Sequence, residues 1–255
     1  MGIDLQLARI LLDARDLVAK DARIVMLGRL TLSVRAGRQA RLLRRDLNAL
    51  QLPSDIEEMR QADGFSETFL DKIGYPGAET MDMSDYEGAT ILHDLGQPLP
   101  AKLRGKFGVI IDGGTTEHVF DFPQALDNMF HMLAPGGVLI SMNGLTGWPG
   151  HGFYQISPEM VWRYWQEMRG CTVHRCAAVP FDDPTLPFRE VADTGPSGNR
   201  FRGRNMPGRW SLGYVVQRPR EPQAAQYTVP KARAVAQGDY SFRWASSGSN
   251  TSSPK

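Results

Sequence analysis

FGVIIDGGTTEHVFDFPQALDNMFHMLAPGGVLISM, residues 107–142, is the stretch that decides the fold. The apolar run Val109–Ile111, closed by Asp112-Gly113-Gly114, is typical of a central strand covered on both faces. Pro123 favours the first turn of a helix, and apolar residues follow it at helical spacing. Pro135-Gly136-Gly137 predicts the end of that helix, and Val138–Ile140 starts the next strand. The stretch therefore predicts a β-α-β unit.

The bulk composition sets the broad class of the protein. The chain has 255 residues, of which 42% are hydrophobic and 22% charged, as in an ordinary globular protein. Its formal net charge of +1 gives no global basic field for nucleic acid or an anionic membrane. No window approaches the roughly 20 apolar residues of a membrane span, and charges interrupt the first residues. We expect a soluble, cytoplasmic protein, and the sequence leaves homo-oligomer formation open.

The two cysteines, Cys171 and Cys176, lie in what the pattern predicts to be one strand. Their odd offset is expected to point them to opposite faces, so that they cannot bridge each other. Reduced thiols are the resulting expectation.

Strands and helices alternate along most of the chain. Before the opening stretch, the pattern predicts a helix over 3–19, a strand at Arg23–Leu27, a helical stripe from Ala36 to Leu50, a short helix begun by the capping box Ser54–Glu57, a helix ending at Gly74, and strands at Glu79–Asp82 and Thr90–Asp94. After it come a loop at 143–152, a helix begun by Ser157-Pro158-Glu159, a strand at Cys171–Val179, a long loop at 180–208 and a strand at Trp210–Gln217. The order predicts one α/β domain over 1–218, and residues 219–255 lack hydrophobic periodicity and are expected to be disordered.

Acidic or glycine residues follow several predicted strands. They are Gly28, Asp82, Asp94 and Asp112. Because ligands of open α/β sheets sit at the carboxyl ends of the strands, their joint occurrence predicts a binding edge. A glycine turn lets a ligand approach backbone amides, and a carboxylate can accept hydrogen bonds from ribose hydroxyls.

These motifs resemble the class I S-adenosylmethionine-dependent methyltransferases, in particular small-molecule members of glycan and other secondary biosynthesis. The matching segments are IVMLG (24–28), MD (81–82), HDL (93–95), VIIDGGTTEHV (109–119), LAPGGVLI (133–140) and GHGFYQISPE (150–159). The resemblance implies a Rossmann-like, seven-stranded, mostly parallel sheet with a C-terminal antiparallel hairpin and helices on both faces. It also implies methyl transfer from S-adenosyl-L-methionine to an O or N atom of a small-molecule or glycan-linked acceptor.

Cofactor contacts follow from the same resemblance. It places Gly28 under the methionine part, Asp82 on the ribose hydroxyls, Asp94 and Leu95 beside the adenine, and Asp112 and Gly113 at the sulfonium end.

Candidate acid–base residues lie after the fourth strand and in the loop that follows the fifth. His118 and His151 can take a proton near neutral pH, and each could equally only hydrogen-bond within its loop. Loops 147–154 and 180–208 would wall the acceptor, with contacts from Trp148, Tyr154 and the arginines at 200, 202 and 204, although a solvated loop explains those arginines as well. Glu117-His118 is similar to the Glu-x-x-Glu-His metal site of some relatives. Gly114 stands at its first Glu, so no metal site is predicted.

The first loop departs from the family pattern of two or three glycines. Only Gly28 is present in Gly28-Arg29-Leu30-Thr31-Leu32, and side chains at the later positions would crowd a cofactor. Either the loop is rearranged, with Arg29 or Thr31 making polar contacts, or cofactor binding is lost. The alternative function is therefore a catalytically inactive protein of the same fold that serves as a binding or assembly subunit. A nicotinamide-dependent oxidoreductase is poorly supported, because the turn lacks Gly-x-Gly-x-x-Gly.

Overall fold

A computed structural model describes residues 2–193 and 201–221, which form a single α/β unit around one large sheet. The sheet has eight strands, numbered here in chain order: β1 Ile24–Leu27, β2 Glu79–Asp82, β3 Ile91–Leu92, β4 Phe107–Asp112, β5 Leu133–Thr146, β6 Thr172–Pro180, β7 Arg189–Glu190 and β8 Trp210–Gln217.

The strand order across the sheet is β3-β2-β1-β4-β5-β8-β6-β7. The strands from β3 to β5 run parallel, whereas β8 is antiparallel to both of its neighbours, β5 and β6. The predicted fold, a mostly parallel sheet with a C-terminal antiparallel hairpin, is confirmed. The difference is one extra strand, because the two residues of β7 pair with β6 inside the segment predicted to be a loop.

Helices cover both faces of the sheet. They are α1 Leu5–Ala14, α2 Arg38–Ala49, α3 Glu67–Ile73, α4 Phe122–Met132 and the short α5 Pro158–Met160, which continues as a π-helix over Val161–Met168. Ile24 and Met26 of β1 point into one hydrophobic cluster with α1, α2 and α3. Val25 and Leu27 point into the other, with α4 and the π-helix. This alternation is the reason that a central parallel strand is apolar at every position.

The bounds of β5 differ from the prediction at both ends. The helix α4 ends at Met132, and β5 already begins at Leu133, so Pro135-Gly136-Gly137 lies within the strand and not before it. At the other end β5 runs to Thr146, four residues into the predicted loop, because Asn143, Gly144 and Thr146 pair with β8. A partner this distant in sequence leaves no local signal.

Two smaller predictions were wrong. Ser54–Glu57 starts no helix: the carboxylate of Asp55 accepts from the backbone N–H of Glu57, which closes a turn instead. The cysteines do not point to opposite faces, since Cys171 and Cys176 are buried in the same cluster and both are free. A register shift in the pairing of β6 with β8 interrupts the alternation of side chains between them.

The N-terminal residues add a small second sheet beside the first loop. Gly2–Ile3 pairs in parallel with Thr31–Leu32, and Asp4 then caps α1 through the backbone N–H groups of Gln6 and Leu7. The predicted helix over 3–19 is thus shorter and is followed by a 3₁₀ turn at Arg15–Leu17. Within the described ranges no helix has the length and apolar character needed to cross a membrane. The predicted disorder beyond residue 221 lies outside the described residues.

Candidate functional site

An open cleft of about 360 Å³ lies at the carboxyl ends of β4 and β5. The loop after β4 contributes Gly113, Gly114 and Glu117, and β5 contributes Met142, Asn143 and Gly144. The rest of the wall comes from the N-terminal residues, the segment from Thr31 to the start of α2, the loop after β5, the residues after β6 and the start of β8. These residues are Gly2, Asp4, Thr31, Ser33, Arg35, Gln39, Trp148, His151, Phe181, Asp182, Arg209 and Ser211. The cleft is therefore mostly polar and lies where an α/β sheet places its ligands.

Three ionisable side chains meet at this edge. Glu117 and His118 lie on a 3₁₀ turn, Thr116–His118, directly after β4, and His151 comes from the loop after β5. One potential ligand atom of each lies within 4.8 Å of those of the other two. Nε2 of His151 is 3.5 Å from Oε1 of Glu117, and the two imidazole rings meet edge to face at 4.9 Å between centroids. The fold thus unites both predicted bases, and adds a carboxyl group to them.

Glu117 is the buried member of this cluster, with only 3% of its surface exposed. Its Oε2 is buried and has no hydrogen-bond partner. Burial raises the pKa of the carboxyl to about 8, helped by the negative charge of Asp112, while backbone N–H groups act in the opposite direction. The Glu117 carboxyl therefore keeps its proton near neutral pH.

His118 is exposed at one face of the turn, yet its ring is partly desolvated. That desolvation lowers its pKa, and the neighbouring His151 lowers it further. The imidazole is consequently neutral at physiological pH, which is the state in which it can accept a proton.

The loop that carries His151 is docked onto the turn that carries Glu117. The backbone carbonyl of Glu117 accepts from the N–H groups of Phe153 (2.8 Å) and Tyr154 (3.2 Å). Gly152 has a φ of 71°, and a Cβ there would lie 2.8 Å from the same carbonyl oxygen, so only glycine fits this approach. Residues 117 and 151, distant in the sequence, are in this way held at a fixed separation.

The wall of the cleft beside His151 is aromatic and cationic. The indole of Trp148 donates to the carbonyl of Trp210 (2.9 Å) and packs edge to face on Phe181. The Arg209 guanidinium lies over both aromatic rings and is held there by two bonds to Asp182. Trp148 is thus a cleft residue, as predicted for an acceptor contact.

The other predicted acceptor contacts lie elsewhere. Tyr154 donates its hydroxyl to the carbonyl of Phe120 (2.7 Å) and packs on Phe122, so it braces the loop. Arg202 and Arg204 are exposed and are not among the cleft-lining residues found in the described ranges. Arg200 lies outside those ranges.

Asp112, at the end of β4, is a fully buried hub of hydrogen bonds. Its Oδ2 accepts from the hydroxyls of Thr116 (2.6 Å) and Ser141 (2.9 Å) and from the amide of Asn143 (2.8 Å). Its Oδ1 accepts from the backbone N–H groups of residues 114–116. Both oxygens of this carboxylate accept hydrogen bonds from within the protein. The expected place of Asp112 beside a cofactor stays a prediction.

The first loop has the rearrangement that its missing glycines suggest. Gly28 makes the turn with a φ of 70° and donates to the carbonyl of Met81 (2.8 Å). Arg29 is directed to Glu67 and Asp63 and stacks on Phe65, while Thr31 joins the small sheet and faces the cleft. Arg29 thus contacts other residues of the protein and Thr31 lies at the cleft wall, and a contact of either with a cofactor stays a prediction.

Leu30 fills the space between the ends of β1 and β4. Its side chain is fully buried, and a Cβ at Gly113 would lie only 2.9 Å from Leu30 Cδ2. Beside it, the Thr115 hydroxyl donates to the carbonyl of Leu27 (2.6 Å) and ties the two strand ends together. A ligand could not lie flat on Gly113 unless Leu30 moved.

The remaining predicted cofactor residues lie further along the same edge. Asp82 is half-buried at the end of β2, where its Oδ1 accepts from the Ser84 N–H (3.1 Å). Asp94 is exposed after β3 and closes a turn with Gly96, and Leu95 is buried next to it. These residues do not line the cleft of Glu117; they follow β2 and β3, on the side of β1 away from β4, and this part of the edge is called the shelf below.

The sequence missed the residues that link the two halves of this edge. Asn143 lay in a predicted loop but is buried in β5, where it contacts the Asp112 carboxylate. Glu117 was noted only as half of an incomplete metal motif. Pairing it with His151 requires knowing which loops meet, and local spacing carries no such information.

No family model matches the chain, and no curated protein matches it. Solved structures do resemble it. The crystal structure of the MccD protein is 11% identical, with a TM-score of 0.43 over 83% of this chain and 96% of that one. A SAM-dependent methyltransferase from Aquifex aeolicus is 11% identical, with a TM-score of 0.42 over 84% and 91%. The [4+2]-cyclase SpnF is 10% identical, with a TM-score of 0.46 over 84% and 80%.

The described sheet is mostly parallel and ends in the antiparallel strand β8, in agreement with the mostly parallel sheet and C-terminal antiparallel hairpin that the sequence resemblance implies. The described residues have a Rossmann-like α/β fold. Because folds host many activities, the function has to come from this chain's own residues.

Proposed function

We propose that this protein is an S-adenosylmethionine-dependent methyltransferase that transfers a methyl group to an O or N atom of a small-molecule or glycan-linked acceptor. The observation that carries the proposal is the polar cleft of about 360 Å³ at the carboxyl edge, in which Glu117 and His151 meet beside His118. Its volume is within the usual range for a small-molecule site.

The role of the cluster is to receive the proton of the acceptor. Methyl transfer to a hydroxyl requires that its proton leave, and His118, whose pKa is lowered, is neutral and able to accept it. His151, 3.5 Å from the Glu117 carboxyl, is the second candidate base. Trp148 and Arg209, on the wall beside His151, would orient the acceptor.

The cofactor would occupy the neighbouring shelf with its adenosine end. There Asp82 is available to the ribose hydroxyls, and Asp94 and Leu95 to the adenine. These residues fit that part of the group, which supplies the methyl donor when bound. The methionine end does not fit the side chains as they stand, because Leu30 packs on Gly113.

That packing favours a second candidate function, a catalytically inactive protein that binds or assembles with others. Isothermal titration with S-adenosylmethionine separates the two. The methyltransferase requires binding in the micromolar to low millimolar range, and Asp82→Ala should weaken it at least tenfold. Asp85→Ala, an exposed carboxylate in the turn that follows, is the matched control and should leave affinity unchanged. Absence of binding at millimolar cofactor would reject the enzyme, whereas equal affinity in Asp82→Ala would reject only the ribose assignment.

A further inference from the structure

The cluster of Glu117, His118 and His151 has the composition of a metal site. Two imidazoles and one carboxylate provide three ligand atoms within 4.8 Å of one another. In a tetrahedral site with bonds of about 2.1 Å, ligand atoms lie about 3.4 Å apart, so the widest separation in the cluster needs to shorten by up to about 1.4 Å. His151 can supply that movement, because 43% of its side chain is exposed.

Glu117 supplies an independent reason to expect a ligand. Only 3% of the surface of Glu117 is exposed, and its buried Oε2 has no hydrogen-bond partner. Buried polar atoms without a partner are rare, and an ion is one of the few explanations for them. The sole ion-pair partner found for Glu117 within the described ranges is His151, and the negative charge of Asp112 contributes to the raised pKa of the Glu117 carboxyl. A divalent cation would displace the carboxyl proton and supply the partner that Oε2 lacks.

The two loops that hold the donors are preorganised. The Thr116 hydroxyl fixes the turn to Asp112 (2.6 Å), and the Glu117 carbonyl holds the His151 loop through Phe153 and Tyr154. Such supporting hydrogen bonds orient the residues that bind a metal ion and raise their affinity for it. None of these bonds uses the side-chain atoms that would bind the ion.

We propose that Glu117, His118 and His151 bind one divalent transition-metal ion, of the class of Zn²⁺, at the rim of the cleft. Imidazole nitrogens favour such ions over Mg²⁺ and Ca²⁺, which prefer oxygen ligands. Three protein ligands leave at least one position open, as in catalytic zinc sites. In the metal-bound chain the two histidines would be ligands and not bases, and the ion would assist deprotonation by lowering the pKa of a hydroxyl bound at the open position. Because Glu117 and His151 line the cleft, that position faces it, and an oxygen atom of the bound small molecule would fill it.

Metal binding can be tested without the cofactor, so its outcome is independent of the methyltransferase proposal. Tag-free chain, stripped with a chelator, is titrated with Zn²⁺ by calorimetry and with Co²⁺ by visible absorption. We expect one Zn²⁺ per chain at a Kd of about 1 μM or below, cobalt bands of a four- or five-coordinate site, and no heat with Mg²⁺.

Three variants locate the site: Glu117→Gln, His118→Ala and His151→Ala. Each should weaken Zn²⁺ binding at least tenfold and remove the cobalt bands, while circular dichroism reports whether the fold is kept. His174→Ala is the control, because this exposed histidine lies on β6 and contacts Gln217; its affinity should equal that of the wild type. A wild-type Kd above about 100 μM, or unchanged affinity in folded His151→Ala and Glu117→Gln, would overturn the proposal.

Discussion

Replacing Asp112 by alanine removes the acceptor of six hydrogen bonds at the end of β4. Three donors are side chains, namely the hydroxyls of Thr116 and Ser141 and the amide of Asn143. The other three are the backbone N–H groups of residues 114–116. All of these groups surround a carboxylate with no exposed surface, so water cannot replace it without a rearrangement.

Each buried donor left without a partner costs about 1–3 kcal/mol. Some donors find new partners, since the Ser141 hydroxyl and the Asn143 amide already lie 2.6 Å apart. We therefore expect Asp112→Ala to lower the free energy of unfolding by about 3–5 kcal/mol, the usual range for breaking a buried charged network.

Asp112→Asn should cost less, about 1–2 kcal/mol. Its remaining oxygen can still face the backbone N–H groups, and its NH₂ can donate to the two hydroxyls, which accept as well as donate. The Asn143 side chain must rotate its amide, because its NH₂ group would otherwise face the new NH₂ group. Asp82→Asn serves as the comparison and should change the unfolding free energy by less than about 0.5 kcal/mol, because the side chain is half-exposed.

Urea unfolding followed by tryptophan fluorescence measures all three variants. The order alanine, asparagine, wild type is the expected result, with Asp82→Asn near wild type. A loss below about 1 kcal/mol for Asp112→Ala would refute the view that this carboxylate organises the site.

Three further predictions concern the loops, the first strand end and the thiols. Gly152→Ala should destabilise the chain by at least about 1 kcal/mol more than Gly150→Ala, because both have a positive φ and only the first meets the Glu117 carbonyl; equal urea midpoints would contradict this. Leu30→Ala should lower the unfolding free energy by about 2–5 kcal/mol and, by opening the space at Gly113, raise S-adenosylmethionine affinity at least tenfold in calorimetry; unchanged affinity would show that Leu30 does not limit binding. Burial raises the pKa of both Cys171 and Cys176 to about 12, so they should resist iodoacetamide at pH 8 until urea is added. Since an unfolded thiol ionises near pH 9.0 and the folded one retains its proton, each thiol should lower the stability by about 1.4 kcal/mol per pH unit above pH 9; between pH 9 and 10, below the range in which tyrosines ionise, the double cysteine-to-alanine variant should lose this contribution.

The fold was accessible to sequence reasoning because its signals are local. β2 and β8 have the predicted bounds, Glu79–Asp82 and Trp210–Gln217. β8 is a largely apolar segment, which is what a strand in a covered sheet requires, and β2 ends at Asp82, whose carboxylate closes a turn with the N–H of Ser84. The end of α3 at Gly74 was equally clear, since Gly74 has the positive φ of a helix end.

The wrong predictions concern strand bounds and side-chain directions that depend on pairing with a strand far away in the sequence. β5 extends to Thr146 because β8 supplies its hydrogen bonds, and the register shift of β6 against β8 brings the two cysteines into one cluster. The two residues of β7 form a strand only because β6 has a free edge. Backbone pairing across the sheet has no counterpart in local composition.

The candidate site likewise has a part that was predictable from the sequence and a part that depends on the tertiary structure. The sequence by itself determined that chemistry would lie at the carboxyl ends of the strands, that His118 and His151 were candidate bases, and that the first loop had kept one glycine. Only the tertiary structure decided that Leu30 occupies the space those glycines would have left, and that His151 reaches Glu117. The physical reason is that residue type and turn chemistry are local properties, whereas the separation between two side chains depends on how loops far apart in the chain pack on a shared sheet edge.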